Sequence, residues 1–91
     1  MNKICKHYYI SGQVQGVCYR HYAKRYAHQL NITGWIRNLS DGRVEALACG
    51  SESSINEFEL WLKKGPEIAL VDHIAMVNVP YENHMSFIIT G

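Results

Sequence analysis

The stretch that decides the fold is residues 12–20, which read GQVQGVCYR. It follows a run rich in Tyr and Ile, which favour a β-strand, and it precedes a segment whose apolar residues have helical spacing. Two glycines allow the backbone to turn sharply, and Gly16 can adopt a positive φ without steric cost. These features predict a tight turn that connects a strand to a helix.

The predicted turn is also a candidate anion-binding site. N–H groups at the start of a helix lack intrahelical acceptors, and the helix dipole favours negative charge at that end. A guanidinium fork matches the oxygens of a phosphoryl group. The candidate phosphate-binding residues are therefore Gln15, Gly16, Val17, Cys18, Tyr19 and Arg20. A tight turn with a solvated arginine is the alternative that spacing alone leaves open.

The rest of the chain alternates strand and helix patterns. Strand patterns cover residues 4–11, 35–38, 44–49, 71–79 and 85–89, and the first helical pattern covers residues 19–30. Asp41-Gly42 predicts a tight hairpin between the second and third strands. Ser54 with Glu57 predicts a capping box at the start of a second helix, which ends at Gly65-Pro66.

The order of these elements predicts an α+β fold of the ferredoxin-like type. Two split β-α-β units form a β-α-β-β-α-β sandwich, in which an antiparallel sheet carries both helices on one face. A short extra strand follows at the C-terminus. The length of 91 residues suits one small domain, so we expect a single domain over residues 1–91.

The predicted topology brings Asn38 close to the turn. In a split β-α-β unit the first two strands run parallel with the third between them, so their C-terminal ends share one edge of the sheet. Asn38 ends the second strand at that edge. A turn residue that bonds its own backbone is the alternative for this position.

Composition excludes several classes of function. The formal charge of +1 at pH 7 gives no general attraction to nucleic acid or to an anionic membrane. No apolar run approaches the roughly 18 residues of a membrane span, and no signal-peptide core is visible, so we expect a cytoplasmic protein. The spacing of His and Cys suits no metal. We expect Asp41 and Glu45 at the surface, and we expect His21 to be exposed, with a position facing the turn as its alternative.

Three segments carry a resemblance to a known family: residues 12–20, residues 34–38 (GWIRN) and residues 41–45 (DGRVE). They match the signatures G-x-V-Q-G-V-x-[FY]-R and G-[FYW]-[AVI]-x-N-x-x-x-G-x-V position by position. On these motifs the chain resembles the acylphosphatase family along nearly its whole length. The fold of that family is the one predicted from the element order.

The resemblance implies a hydrolase that cleaves the carboxyl–phosphate bond of small acyl phosphates to carboxylate and inorganic phosphate. It implies that no metal and no other cofactor takes part. It also implies two catalytic residues, Arg20 as the phosphate ligand and Asn38 as the holder of the attacking water. We expect a monomer, because the sheet is small and one of its faces is covered by helices.

Cys5 and Cys49 are a candidate disulfide pair. In the predicted topology the start of the first strand lies beside the end of the third, and a bridge requires Cα atoms within about 6.8 Å. A reducing cytoplasm opposes the bridge, so the sequence leaves open whether these cysteines form a disulfide or remain free thiols. Cys18 lies in the predicted turn, where we expect its N–H group rather than its thiol to contribute.

Two other functions can use the same fold. RNA-recognition motifs stack bases on aromatic residues of the central strands, but residues 44–48 of the third strand read VEALA and contain none. We therefore expect no nucleic-acid partner. A regulatory domain that senses an anion without chemistry is the second alternative, and only turnover separates it from an enzyme.

Overall fold

The computed structural model describes residues 2–91. Its elements are β1 (Lys3–Gln13), α1 (Tyr19–Gln29), β2 (Thr33–Asn38), β3 (Val44–Ser51), α2 (Glu52–Lys64), β4 (Leu70–Val79) and β5 (Phe87–Ile89). This is the predicted order, with β1 to β4 slightly longer than predicted and β5 shorter. Neither helix in this part of the chain is long and apolar enough to cross a bilayer.

The strands form one five-stranded sheet in the order β4-β1-β3-β2-β5. All pairs are antiparallel except β2 and β5, so the sheet is mixed rather than wholly antiparallel. The reason lies in the path after β4. That strand ends opposite the start of β1, at the edge where β2 also begins. The chain crosses along this edge and enters β5 in the same direction as β2.

Both helices pack on one face of the sheet. Alternate residues of the strands point to this face, and helical residues three and four apart point back at them. The resulting core includes Tyr8, Ile10, Ile36, Val44, Ala46 and Ala48 from the sheet and Ala23, Ala27, Ile55, Phe58 and Leu62 from the helices. The ferredoxin-like α+β sandwich predicted from the element order is the fold observed.

The helix α2 begins earlier than the sequence predicts. Its N-cap is Ser51, whose hydroxyl accepts a hydrogen bond from the N–H of Ser54 at 3.2 Å. The predicted capping box of Ser54 and Glu57 is therefore wrong. Ser51 has extended backbone angles and is also the last residue of β3, so the chain passes directly from strand to helix.

The hairpin predicted at Asp41-Gly42 is present, with residues 39–43 as its connection. The N–H of Leu39 donates to the carbonyl oxygen of Arg43 at 2.8 Å, which closes the turn. Asp41 accepts a hydrogen bond from the N–H of Arg43 at 3.1 Å. Asp41 is exposed, as expected.

Cys5 and Cys49 form a disulfide bond. They are direct partners in the antiparallel register of β1 and β3, so the closeness that the topology predicts for this candidate pair is observed. Both are buried with Leu47 on the sheet face away from the helices. The remaining cysteine, Cys18, has a free and exposed thiol.

Candidate functional site

The strand that leads into the site bends at Gly12. The register of β1 against β4 shifts between Ser11 and Gly12, where the φ of Gly12 is 131°. A Cβ atom at this position would overlap the carbonyl oxygen of Leu70. Only glycine fits this approach of two backbones, and the bend directs the following residues away from the sheet.

Residues 14–18 connect β1 to α1 with backbone angles of alternating sign. Gly16 has φ 74° and Cys18 has φ 62°, whereas Val17 between them has negative φ. The positive φ expected for Gly16 is confirmed. Such alternation turns successive N–H groups toward one side and forms concavities that bind anions. A positive φ at a residue other than glycine costs about 1–3 kcal/mol, so Cys18 marks a strained point at the helix start.

The N–H groups of this turn lack protein acceptors. In the described part of the chain, none from residue 15 to residue 21 donates a hydrogen bond, and the first helical bond joins the N–H of Tyr22 to the carbonyl of Cys18. The Cys18 side chain does not cap the helix, and the first turn contains no acidic residue. Open donors at a positive dipole end, with no competing carboxylate, are suited to an anion.

The guanidinium of Arg20 is available at the same place. Arg20 is the second residue of α1, and its side chain is partly buried. It forms no ion pair with a carboxylate within residues 2–91, whereas Arg37 and Arg43 are both paired. An unpaired arginine beside open N–H donors makes this region locally positive.

A depression of about 340 Å³ opens beside the turn. Among the predicted phosphate-binding residues, its walls include Gly16, Cys18, Tyr19 and Arg20, but not Gln15 or Val17. Its other walls are Val14, His21 and Ile89. His21 is exposed, as expected, and it borders this depression.

The side chain of Gln15 forms hydrogen bonds that the sequence analysis did not predict. Its Nε2 donates hydrogen bonds to the carbonyl oxygens of Leu39 and Arg43, at 2.7 and 2.9 Å. The side chain therefore ties the turn to the hairpin, directly next to Asn38. Sequence reasoning missed this bond because its partners lie 24 and 28 residues away and leave no local pattern.

Asn38 occupies the edge of the sheet that the topology predicts. Val44 pairs with Ile10 of β1 on one side and with Asn38 on the other, so Asn38 lies two strand spacings, or about 10 Å, from Ile10, three residues before β1 ends. The Oδ1 atom of Asn38 is buried and has no hydrogen-bond partner. Since buried polar atoms are nearly always partnered, this oxygen is suited to a water or ligand atom.

The sheet face that points away from the helices carries a polar cluster centred on Glu45. This residue is only 5% exposed, and its carboxylate accepts a hydrogen bond from Arg37 and pairs with His7, both at 2.7 Å. Burial raises the pKa of Glu45, but hydrogen bonds from Arg37, His7 and Tyr9 outweigh burial and leave the pKa below its ordinary value. The surface position expected for Glu45 is wrong, because β3 is a central strand with neighbours on both sides.

Comparisons with known proteins show the family to which this chain belongs. The family model described as Acylphosphatase matches residues 6–89. The chain belongs to the acylphosphatase family. A relative from Legionella pneumophila (strain Corby), named Acylphosphatase, is 53% identical over 85 residues, which cover 93% of each chain.

Solved structures of this family are similar throughout. An acylphosphatase from Coxiella burnetii superimposes with a TM-score of 0.94 at 38% identity, over 98% of this chain and 94% of that one. For the acylphosphatase from Bacillus subtilis the TM-score is 0.93 at 31% identity, over 97% and 99%. The family, the ferredoxin-like fold and the acylphosphatase function expected from the sequence are confirmed, and with them the assignment as a hydrolase.

Proposed function

We propose that this chain hydrolyses small acyl phosphates with the phosphoryl group at residues 15–20 and the attacking water on Asn38. The observation that carries the proposal is the buried, unpartnered Oδ1 of Asn38. It lies at the same sheet edge as a turn whose N–H groups have no protein acceptor. The Oδ1 of Asn38 thus lacks a hydrogen-bond donor and the N–H groups of the turn lack an acceptor, and a hydrated phosphoryl group would supply both.

In this proposal the phosphoryl oxygens are held by the guanidinium of Arg20 and by main-chain N–H groups. The candidate amides are those of Gln15, Gly16, Val17, Cys18, Tyr19 and Arg20. Phosphoryl transfer spreads charge over the three equatorial oxygens, so fixed donors around them lower the barrier by electrostatic stabilisation. Because these donors are already oriented by the turn and the helix, no reorganisation is needed at the moment of reaction.

The carboxamide of Asn38 orients the nucleophile. Its Oδ1 accepts a hydrogen bond from water, which attacks phosphorus in line with the leaving carboxylate. A new P–O bond forms, the bond between phosphorus and the acyl oxygen breaks, and the products are a carboxylate and inorganic phosphate. A carboxamide is not a base, so the water proton passes to a phosphoryl oxygen. A carboxylate leaves readily, so no general acid is required.

Gln15 acts as a positioning residue in this arrangement. Its two hydrogen bonds to Leu39 and Arg43 hold the hairpin against the turn. They keep Asn38 at a constant distance from the bound phosphoryl group, and small displacements of a reacting group cost rate steeply.

The active form in this proposal is a cytoplasmic monomer in which residues 1–91 are one domain. It requires no metal or other cofactor and has no nucleic-acid or membrane partner. The single core of the sandwich supports one domain, since both helices and four of the five strands contribute to one cluster of buried residues. The partners are the acyl phosphate substrate and the phosphate product.

Turnover of acetyl phosphate in the presence of a metal chelator tests the proposal. For Asn38→Ala we expect kcat to fall about 10²-fold or more, with the inhibition constant of inorganic phosphate changed little. For Arg20→Ala we expect both turnover and phosphate inhibition to be lost. The exposed Asn78 of β4 supplies the matched control, Asn78→Ala, which should behave as wild type.

Two results would contradict the proposal. Wild-type kcat in Asn38→Ala would remove the role of this residue in positioning water. Phosphate binding by the wild-type chain without hydrolysis of acetyl phosphate would instead favour the anion-sensing domain, the alternative that the sequence leaves open.

A further inference from the structure

A groove of about 550 Å³ lies between α1 and the C-terminal end of α2, and the mechanism above does not use it. Its walls include the aromatic side chains of Tyr22, Tyr26 and Trp61 and the aliphatic side chain of Ile68. Tyr22 and Tyr26 are one helical turn apart on the same face of α1. The groove is thus mainly a hydrophobic and aromatic surface.

Apolar side chains in this groove are exposed although the core below them is well packed. Tyr22 is 44% exposed and Ile68 is 66% exposed. Beneath them the ring of Trp61 lies 5.4 Å from that of Tyr19 and 6.1 Å from that of Tyr26, so packed aromatic rings form the floor of the groove. Clustered exposed apolar residues commonly mark a binding site, and aromatic rings bind flat apolar groups with little loss of conformational entropy.

The groove adjoins the proposed phosphoryl site. Cys18 lines both the groove and the depression at the start of α1. His21 lines the depression, and its ring contacts the ring of Tyr22 in the groove, with 5.6 Å between centroids. A substituent attached to a phosphoryl group at the turn therefore lies next to the groove.

The direction of the in-line reaction is a second reason to place the acyl group in the groove. An in-line displacement places the attacking and leaving oxygens on opposite sides of phosphorus. The water held by Asn38 approaches from the sheet layer, since Asn38 belongs to β2. The acyl group then leaves on the side of phosphorus away from Asn38, and Asn38 is not among the residues that line the groove.

The charges of the groove select the kind of acyl group. Arg25 and Glu67 both line it, so one positive and one negative side chain balance each other. Resting on the proposed function, we infer that this groove binds the acyl part of the substrate and favours uncharged aromatic acyl groups over acetyl. Tyr22 and Ile68 are then determinants of substrate specificity.

Paired kinetics with benzoyl phosphate and acetyl phosphate test this inference. We expect Tyr22→Ala to lower kcat/KM for benzoyl phosphate about tenfold and to change the value for acetyl phosphate less than about twofold. Ile68→Ser should change the ratio in the same direction, and its exposed position leaves the core intact. Tyr22→Phe keeps the ring and should keep the wild-type ratio.

The matched control is Leu60→Ala, since Leu60 is 67% exposed on α2 and lies outside the groove. It should keep the wild-type ratio of the two kcat/KM values. An unchanged ratio in both Tyr22→Ala and Ile68→Ser, with acetyl phosphate still hydrolysed, would overturn the acyl groove alone. Failure of the wild-type chain to hydrolyse either substrate would overturn the proposed function as well.

Discussion

Two residues of the proposed site keep unfavourable arrangements that the rest of the fold must offset. Cys18 holds a positive φ without being glycine, and Asn38 buries an oxygen without a hydrogen-bond partner. Each arrangement costs about 1–3 kcal/mol in proteins generally. Unfavourable arrangements of this kind are concentrated at functional sites. A bound phosphoryl group with its water would supply the hydrogen-bond partner that Asn38 lacks.

Glu45 should make the stability of the chain depend on pH. Its pKa in the folded state lies below its ordinary value, although burial alone would raise it, because Arg37 and His7 bind the carboxylate. Its stabilising contribution is therefore complete above the unfolded-state pKa and is lost as the pH falls through the folded-state pKa. We expect the free energy of unfolding of the wild type to decline below about pH 5, and that of Glu45→Gln to decline less.

Urea titrations at pH 7, 5, 4 and 3 measure this difference. Glu67→Gln is a suitable control, since Glu67 is exposed and forms no ion pair within residues 2–91. Some decline should remain in Glu45→Gln, because a hydrogen bond from the Arg43 N–H also lowers the pKa of Asp41. If the free energy of unfolding had the same pH profile in wild type and Glu45→Gln, Glu45 would not be the source of the pH dependence.

Among the elements, α2 shows how a strand determines where the following helix begins. Ser51 ends β3 and caps α2, so its hydroxyl satisfies one of the N–H groups that the first turn leaves open. We expect Ser51→Ala to lower the free energy of unfolding by about 1 kcal/mol. Chemical denaturation of the variant and the wild type measures the loss.

Ser54→Ala is the matched control for the cap. Ser54 is the residue that the sequence pattern predicts as the cap, but in the structure its main-chain N–H is the donor to Ser51. Its substitution should therefore change stability much less than that of Ser51. A larger loss in Ser54→Ala than in Ser51→Ala would restore the sequence prediction.

On the scale of the whole molecule, the disulfide joins two strands far apart in the chain. Cys5 and Cys49 are separated by 44 residues, and a bridge that closes a loop of this size stabilises by about 4 kcal/mol through the unfolded state. Reduction should lower the free energy of unfolding by an amount of that order. Denaturation with and without dithiothreitol measures the change.

The double variant Cys5→Ser/Cys49→Ser is the control, and its stability should not respond to the reductant. Thiol titration in denaturant without reductant should find one free thiol, that of Cys18. Three free thiols in the purified chain would mean that the bridge had not formed.

The amino-acid sequence by itself determined the elements, their order and the family. Strand and helix patterns, the glycines of residues 12–20 and the Asp-Gly hairpin act over a few residues, so their structural meaning is local and can be read without coordinates. The two motifs also indicate Arg20 and Asn38, since each residue stands at a fixed offset from a glycine. The element order then predicts that Asn38 and the turn share an edge.

Only the tertiary structure decided which groups from distant segments meet. The bonds of Gln15 to the hairpin, the burial of Glu45 and the unpartnered oxygen of Asn38 depend on strand register and on packing between layers. The direction of β5 and the groove beside Cys18 depend on how the chain crosses the sheet and on how α1 lies against α2. These features arise from distances between residues far apart in sequence, which no local pattern specifies.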